Sequence, residues 1–347
     1  MNKKALVCLG LYEDWSMFND YYRGKKILVT GGSGSIGKKI VRELVKYDVD
    51  VIRVLDNNET DLFNLWNDLN SSKVKIYVGD IKDGQRLKSV FRNIDIIFHA
   101  AAYKHVPLCE YNPLDAVKTN VLGTQNVIDM AILCDVEKVI LVSTDKAVNP
   151  TNVMGATKFL AERLMIASNI DDEEGTRFSC VRFGNVLNSR GSVIPIFKNQ
   201  LKHGGPITLT DEDMTRFIMN IQQAAKLILQ AGLLSKGGEI FILKMPAFKL
   251  SDLVDAMVEY YAPQYGYDKE DINVEIIGKR PGEQLYEELM TPDEMLKAYD
   301  NGDLFIIREE LNENSENFIY NSDEIDHLSK DEIKEILDRM DKIEVSK

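Results

Sequence analysis

The sequence predicts an α/β chain: a doubly wound parallel sheet followed by a smaller C-terminal substrate-binding domain. Three observations carry this. Short apolar runs suited to buried parallel strands alternate with helical patterns through residues 25–186. The first run, ILVT, leads directly into Gly32, Gly34 and Gly37, spaced G-x-G-x-x-G, and then into an amphipathic helix. The second run, VIRVLD, ends on Asp56, about 20 residues beyond those glycines, where a ribose-binding carboxylate belongs.

Bulk properties narrow the function classes. The 347 residues suffice for about two domains. A net charge of −13, from 42 basic and 55 acidic residues, argues against a general nucleic-acid binder or a membrane-surface protein. Cys8, Cys109, Cys134 and Cys180 are widely separated and form no CxxC. They read as reduced packing residues of a cytoplasmic protein, with no metal site. The N-terminal MNKKALVCLGLYEDW has no small-residue cleavage site and is not read as a signal peptide. No run approaches the ~20 apolar residues that a membrane span needs.

In chain order, residues 1–24 read as an arm with a helix around EDWSMFNDYY. Next come ILVT and the loop Gly31, Gly32, Ser33, Gly34, Ser35, Ile36, Gly37. Its glycines permit a tight turn and a close approach to pyrophosphate, and the following helix N-terminus offers NH groups to the phosphates. Asp56 would accept the adenosine ribose hydroxyls and repel a 2′-phosphate, and no arginine follows it directly. The pattern therefore favours NAD over NADP. VKIYVGD is the third strand, with Asp80 and Ile81 at its end. IDIIFHAAA is the fourth, and its Ala100, Ala101 and Ala102 let the backbone lie close to a flat cofactor. Lys104 follows, and Asn120 lies early in a helix running to about Ala131. EKVILVS is the fifth strand, ending at Ser143, and FSCVRFGNVL the sixth. Ligands of such sheets sit at the C-terminal strand ends.

The stretch VSTDKAVNPTNVMGATK, residues 142–158, carries the chemistry. It resembles the extended short-chain dehydrogenase/reductase superfamily, as do TGGSGSIG, the acidic end of the second strand and HAAA. Members usually carry Y-x-x-x-K; here the lysine is Lys158 and the tyrosine position is Met154. Methionine cannot exchange a proton. The pattern STDKA-x-x-P-x-N-x-M-G-A-T-K is similar to one branch, the nucleotide-activated N-acetylhexosamine 4,6-dehydratases of surface-glycan synthesis, several of which have this methionine. AAYKHVPLCEYNP, VRFGNVLNSRGSVIPIF, MTRF and RPGEQLYEEL fit as well.

The resemblance implies a tightly bound NAD recycled in each turnover and a nucleotide-sugar substrate, with UDP-N-acetylglucosamine favoured. It implies an acid and a base beyond those of a simple dehydrogenase. Asp145 is assigned as acid toward the carbon 6 hydroxyl and Lys146 as base at carbon 5. Ser143, Thr144 or Lys146 would manage the carbon 4 hydroxyl. These roles require Lys146 partly neutral and Asp145 partly protonated. Lys104, Asn185, Ser189, Arg190, Val193, Thr208, Arg216, Arg280 and Glu283 are the substrate-binding candidates, with Arg216 and Arg280 suited to a diphosphate. A homodimer is usual for the superfamily.

The expected domains are an arm over 1–24, a cofactor domain over 25–186 completed by about 217–245, and a substrate domain with a cap from 187–216 and 246–347. GGPITLTDEDMTRF reads as a hairpin, GGEIFILKM as a strand returning to the main sheet, ENSENF as a loop and DEIKEILDRM as a helix. Two other readings stand beside the dehydratase. A 4-epimerase needs only carbon 4 redox chemistry and normally keeps the tyrosine. A non-catalytic NAD-binding sensor would not need the Asp-Lys pair. LDNNETDLF resembles the members that retain configuration at carbon 5, while the C-terminal stretch looks closer to members that invert it.

Overall fold

The computed structural model describes residues 16–169, 175–187, 193–279, 282–312 and 319–345. Its apolar runs form strands β1 (Lys26–Thr30), β2 (Val51–Asp56), β3 (Val74–Val78), β4 (Ile96–His99), β5 (Lys138–Val142) and β6 (Arg177–Arg182). Then come the short β7 (Asn185–Val186), β8 (Ile207–Leu209), β9 (Thr215–Met219), β10 (Ile240–Leu243), β11 (Ala247–Lys249), β12 (Val274–Ile276), β13 (Ala298–Asp300) and β14 (Leu304–Ile307). The main helices are α1 (Ser16–Tyr22), α2 (Ser35–Leu44), α3 (Glu59–Leu69), α4 (Gly84–Phe91), α5 (Val106–Tyr111), α6 (Gly123–Leu133), α7 (Val153–Ala167), α8 (Val193–Lys202), α9 (Ile221–Leu234), α10 (Leu250–Tyr261) and α11 (Lys330–Val345).

Nine strands make the main sheet, ordered β13-β14-β10-β6-β5-β4-β1-β2-β3. From β3 to β10 every pairing is parallel, and β14 and β13 add antiparallel at the far edge. Burial explains the central position of β4: all four of its residues are buried, as a strand covered on both faces requires. The register levels the strand ends. Thr30 pairs with Leu55 and with His99, His99 with Leu141, and Val142 with Val181. The loops after β1, β2, β4, β5 and β6 therefore leave the sheet along one edge.

A second apolar core joins α8, α10, α11 and β8, with Phe197, Leu201, Leu253, Met257 and Leu337 buried in it. Two small sheets, β11-β9-β7 and β12-β8, connect this lobe to the main sheet.

Three sequence expectations change. GGPITLTDEDMTRF is not a hairpin: β8 pairs with β12, and β9 pairs with β11 and β7. FSCVRFGNVL is two strands, because the chain leaves the main sheet at Phe183 and Gly184 before β7. Part of the C-terminal region is not a cap, since β13 and β14 extend the main sheet. The described end of the arm keeps its expected helix, α1, and packs into the core, with Phe18 and Tyr22 buried and Tyr22 Oη donating to the Leu229 carbonyl at 2.6 Å. ENSENF lies outside the described residues. The expected return of GGEIFILKM to the main sheet is β10, and DEIKEILDRM lies within α11.

Candidate active site

The β1–α2 turn is built by close approach. Gly31 has φ +64°, and a Cβ there would lie 2.5 Å from the Ala101 nitrogen. A Cβ on Gly37 would meet the Gly31 carbonyl oxygen at 2.2 Å. The turn can therefore lie against the end of β4 only with glycine at these two positions. Asp56 braces it from β2: Oδ2 accepts from the Ser33 N–H at 3.0 Å and Oδ1 from the Asn58 N–H at 3.0 Å.

A narrow cavity of about 260 Å³ opens here, lined by Gly31, Ser33, Gly34, Asp56, Asp80, Ile81 and Ala100 to Ala102. It shares Gly31, Gly34, Ala100, Ala102 and Tyr103 with a cleft of about 850 Å³. Ser35, Ile36, Gly37, Lys104, Ser143, Thr144, Asp145, Lys146, Met154, Lys158 and Asn185 line that cleft. The sequence thus placed most of its candidates on one continuous surface. Gly32 packs instead, since a Cβ there would lie 2.4 Å from Val54 Cγ1.

The catalytic stretch folds as a strand end, a 3₁₀ turn over Asp145–Ala147 and helix α7. Asn152 caps α7, accepting from the Gly155 N–H at 2.8 Å. Gly155 lets the helix press under the turn: a Cβ there would sit 2.2 Å from the Lys146 carbonyl oxygen. One turn further on, Lys158 is buried and its Nζ donates to the Val142 carbonyl at 2.7 Å. Burial pushes the Lys158 ammonium down to about 8, although Glu162 pulls the other way. Met154 is buried against Cys109 and Ala116. The Ser143 hydroxyl is buried and has no hydrogen-bond partner in the protein. It lines the cleft, so a ligand there would supply the missing partner.

Lys146 Nζ contacts Asp145 Oδ2 at 2.8 Å and Oδ1 at 3.1 Å, and Thr144 Oγ1 donates to the same Oδ1 at 2.7 Å. Burial alone would lower Lys146, but Asp145 and Glu287 outweigh it and raise the ammonium above its ordinary value. This corrects the sequence expectation of a partly neutral lysine: in this state Lys146 is a full cation.

Other candidates are placed elsewhere. Asn120 lines neither the narrow cavity nor the cleft. It lies in a π-helical turn, Val117–Leu122, before α6. Its amide accepts from the Tyr103 N–H at 2.8 Å and donates to the Tyr103 carbonyl and to Thr157 Oγ1. It pins the loop after β4. Thr208 turns to Gln200, whose Nε2 donates to its hydroxyl at 2.8 Å. Val193 packs into the second core. Arg216 spends its guanidinium on the carbonyls of Thr215, Gln284 and Leu285 and on Glu287. Thr208, Val193, Arg216 and Glu283 do not line the cleft. Ser189, Arg190 and Arg280 lie outside the described residues.

Sequence reasoning missed Glu287, which is buried, with Oε1 accepting from Asn185 Nδ2 at 2.5 Å and Oε2 from the Phe217 N–H at 3.0 Å. Burial first and Asp145 second push its carboxyl up to about 7, against the pull of Arg216 and Lys146. It also missed the cleft wall of Tyr103, Leu108, Cys109, Asn112 and Asp115. AAYKHVPLCEYNP carried the only signal for that wall.

Residues 27–309 match the model of a family described as polysaccharide biosynthesis protein. The chain belongs to this family. A relative named as an uncharacterized membrane protein of Methanocaldococcus jannaschii is 56% identical over 328 residues, 92% of this chain and 98% of that protein. A UDP-N-acetylglucosamine 4,6-dehydratase (inverting) of Campylobacter jejuni is 40% identical over 282 residues, 80% of this chain and 81% of the enzyme. A UDP-glucose 4-epimerase of Rickettsia prowazekii is also 40% identical, over 82% of each chain. The X-ray structure of Pen from Bacillus thuringiensis superposes with a TM-score of 0.87 at 43% identity, covering 92% of this chain and 98% of Pen. Both the Campylobacter and the Rickettsia relatives are named for reactions on nucleotide sugars. No helix among the described residues is long and apolar enough to cross a membrane.

Proposed function

We propose that this protein is an NAD-dependent 4,6-dehydratase acting on a nucleotide-activated N-acetylhexosamine, with UDP-N-acetylglucosamine as the favoured substrate. The product is the 4-keto-6-deoxy sugar, a precursor for surface glycan. The observation that carries this reading is the Asp145–Lys146 pair on the wall of the cleft that holds Lys158, with Met154 where a tyrosine would serve simple redox chemistry. A dehydratase needs an extra acid and base, and this pair supplies both.

The turn at Gly31–Gly37, Asp56 and the narrow cavity fit the adenosine and pyrophosphate of NAD, and the unpartnered Ser143 hydroxyl with Lys158 fits its nicotinamide ribose and the sugar. The chemistry that NAD supplies when bound is reversible hydride exchange with the sugar. Tight retention of NAD belongs to the same proposal. Once carbon 4 is a ketone, the carbon 5 proton is acidic. The Lys146 amine takes that proton, and the Asp145 carboxyl gives one to the carbon 6 hydroxyl, which leaves as water. The resting ion pair has both groups in the opposite state. One proton passing from Lys146 to Asp145 along their 2.8 Å contact yields the amine and the carboxylic acid together. Asn185, held by Glu287, is the diphosphate contact. A homodimer through α5 and α7 would cover the exposed Leu108, Tyr111 and Leu160.

The 4-epimerase reading is supported by the names of three Rickettsia relatives, each 40% identical. Proton NMR of the protein with UDP-N-acetylglucosamine and NAD separates the two. A new methyl doublet from carbon 6 supports dehydration, and its ring couplings report carbon 5 configuration. A galacto product without the doublet overturns the dehydratase reading in favour of the epimerase.

A further inference from the structure

His99 is the last residue of β4, wholly buried, and the reaction above does not use it. It pairs in register with Thr30, the residue before the Gly31 turn. Thr30 Oγ1 lies 2.7 Å from its Nδ1, and Thr124 Oγ1 of α6 lies 3.1 Å from its Nε2. Thr124 Oγ1 donates to the Asn120 carbonyl at 2.7 Å. Asn120 Nδ2 donates to the Tyr103 carbonyl at 3.0 Å and to Thr157 Oγ1 at 2.9 Å, and Thr157 Oγ1 donates to the Met154 carbonyl at 2.8 Å. An unbroken buried chain thus runs from the cofactor turn, through β4 and α6, to the part of α7 that carries Met154 and Lys158. The proton directions along it follow from its partners. A carbonyl only accepts, so the single Thr124 hydroxyl proton goes to Asn120. Thr124 can then only accept from His99, and the imidazole carries its proton on Nε2. Nδ1 is left as an acceptor, and Thr30 donates to it. Burial first and Lys158 second lower His99 to about 3, so the ring stays neutral. This one arrangement satisfies every polar group in the chain.

We propose that His99, neutral and protonated on Nε2, is a positioning residue: its directed hydrogen bonds, from Thr30 and to Thr124, hold Asn120 in its π-helical turn and so set the Tyr103 wall and α7 against the cofactor turn. Asn120 is the junction. Its carbonyl takes the end of the chain, while its amide grips Tyr103, on the wall of the cleft, and Thr157, the neighbour of Lys158. A π-helical turn is a poor helix on its own and keeps its shape through such side-chain contacts. Without the link at His99, the wall and α7 are no longer tied to the turn that meets the cofactor. A displacement of about 1 Å at a reacting group can cost on the order of 100-fold in rate. The consequence for rate rests on the dehydratase reading. The ring tautomer and the grip on Tyr103 are measurable without turnover.

Thr124→Val keeps the shape and removes the hydroxyl, Thr124→Ser keeps the hydroxyl, and Thr30→Val cuts the other end. The first readout is nitrogen-15 NMR of the full chain labelled at its four histidines, with His99→Gln to assign the signal. In wild type the His99 ring should stay neutral and protonated on Nε2 between about pH 5 and 9. In Thr124→Val the Nε2 proton loses its acceptor while Thr30 can still accept, so the proton should move to Nδ1. In Thr124→Ser and Thr30→Val it should stay on Nε2. A wild-type ring that is cationic or protonated on Nδ1 overturns the proposal, as does an unmoved proton in Thr124→Val. The second readout is amide hydrogen exchange. The Tyr103 N–H, held by Asn120 Oδ1, should exchange about 10-fold faster in Thr124→Val and Thr30→Val relative to Leu253 and Met257 of the second core. Equal acceleration at both places is a general loss of stability and overturns the positioning role. The third is turnover of UDP-N-acetylglucosamine with NAD. Both valine variants should lower kcat about 10- to 100-fold with KM little changed, and Thr124→Ser should recover most of it. An unchanged kcat in the valine variants overturns the proposal. If wild type forms no methyl doublet, the dehydratase reading fails by itself, and the ring and exchange readouts decide the role of His99.

Discussion

Lys146 forks onto Asp145, with Nζ 2.8 Å from Oδ2 and 3.1 Å from Oδ1, while Thr144 Oγ1 donates to Oδ1. Adjacent residues rarely turn their side chains onto each other, and the 3₁₀ turn at Asp145–Ala147 makes it possible here. If the two groups divide the elimination as base and acid, their variants should fail differently. In D₂O, Asp145→Asn should still wash deuterium into carbon 5 but form the methyl product about 10²- to 10⁴-fold more slowly. Lys146→Met should lose both signals. Proton NMR of the sugar reads both outcomes. Equal loss of exchange in the two variants would reverse the assignment of Lys146 as base.

Gly155 makes a second prediction. Its Cα hydrogen faces the Lys146 carbonyl, where a Cβ would come to 2.2 Å. Backbone meets backbone here, so no side chain can yield. Gly155→Ala should cost about 1–3 kcal/mol as α7 is pushed off the turn. Thermal melts should show that loss. Product formation should fall as well, because the same shift separates Lys158 from Lys146. Gly84→Ala, where nothing lies within 4 Å of the new carbon, is the control and should leave the melt unchanged.

Arg182 links the two halves of the site from behind. Its guanidinium contacts both oxygens of Glu162 on α7, at 2.6–3.1 Å, and both oxygens of Glu294, at 2.7 and 2.9 Å. All but the Glu294 end is deeply buried. Arg182→Met should destabilise the protein by about 3–5 kcal/mol, since it strands a buried carboxylate. Arg182→Met with Glu162→Met should recover part of that loss. Denaturant titration of the two variants and wild type closes the test.

How far these features were legible depends on the range of the interactions. The β1–α2 turn, Asp56 and the strand ends depend on local spacing, so Gly37, Ala101 and Lys158 could be placed from the sequence. Glu287 could not: its partners Asn185 and Phe217 are 102 and 70 residues away. Its motif offered Glu283, Glu287 and Glu288 with nothing to rank them. Arg216 is the opposite case. Its chemistry suits a diphosphate, but three backbone carbonyls occupy the guanidinium. The β8–β9 segment has hairpin spacing, yet each strand found a better partner elsewhere. Of the edge strands, β13 has no alternation to mark it, whereas β14, LFII, is a short apolar run like those of the central sheet that was overlooked within an acidic region.

Lys158 gives the last prediction, through linkage. Its ordinary value is 10.5, and burial lowers it to about 8 in the native state. Between those values the unfolded chain holds a proton that the native protein lacks. The unfolded state therefore binds more protons, and stability must rise with pH across that window. Below about 8 both states are protonated and the contribution is lost, leaving native Lys158 as a strained cation at neutral pH. Lys158→Met removes the titration but also leaves the Val142 carbonyl without its donor, so its melting temperature at one pH is ambiguous. The difference between wild type and variant is not. It should shift in favour of wild type as pH is raised from 8 to 10, and stay flat from 6 to 7. A difference that is constant across the whole range would mean that Lys158 keeps its ordinary proton affinity in the fold. The lysine would then stand ionised in the cleft throughout, acting toward a bound ribose or sugar only as a fixed positive charge.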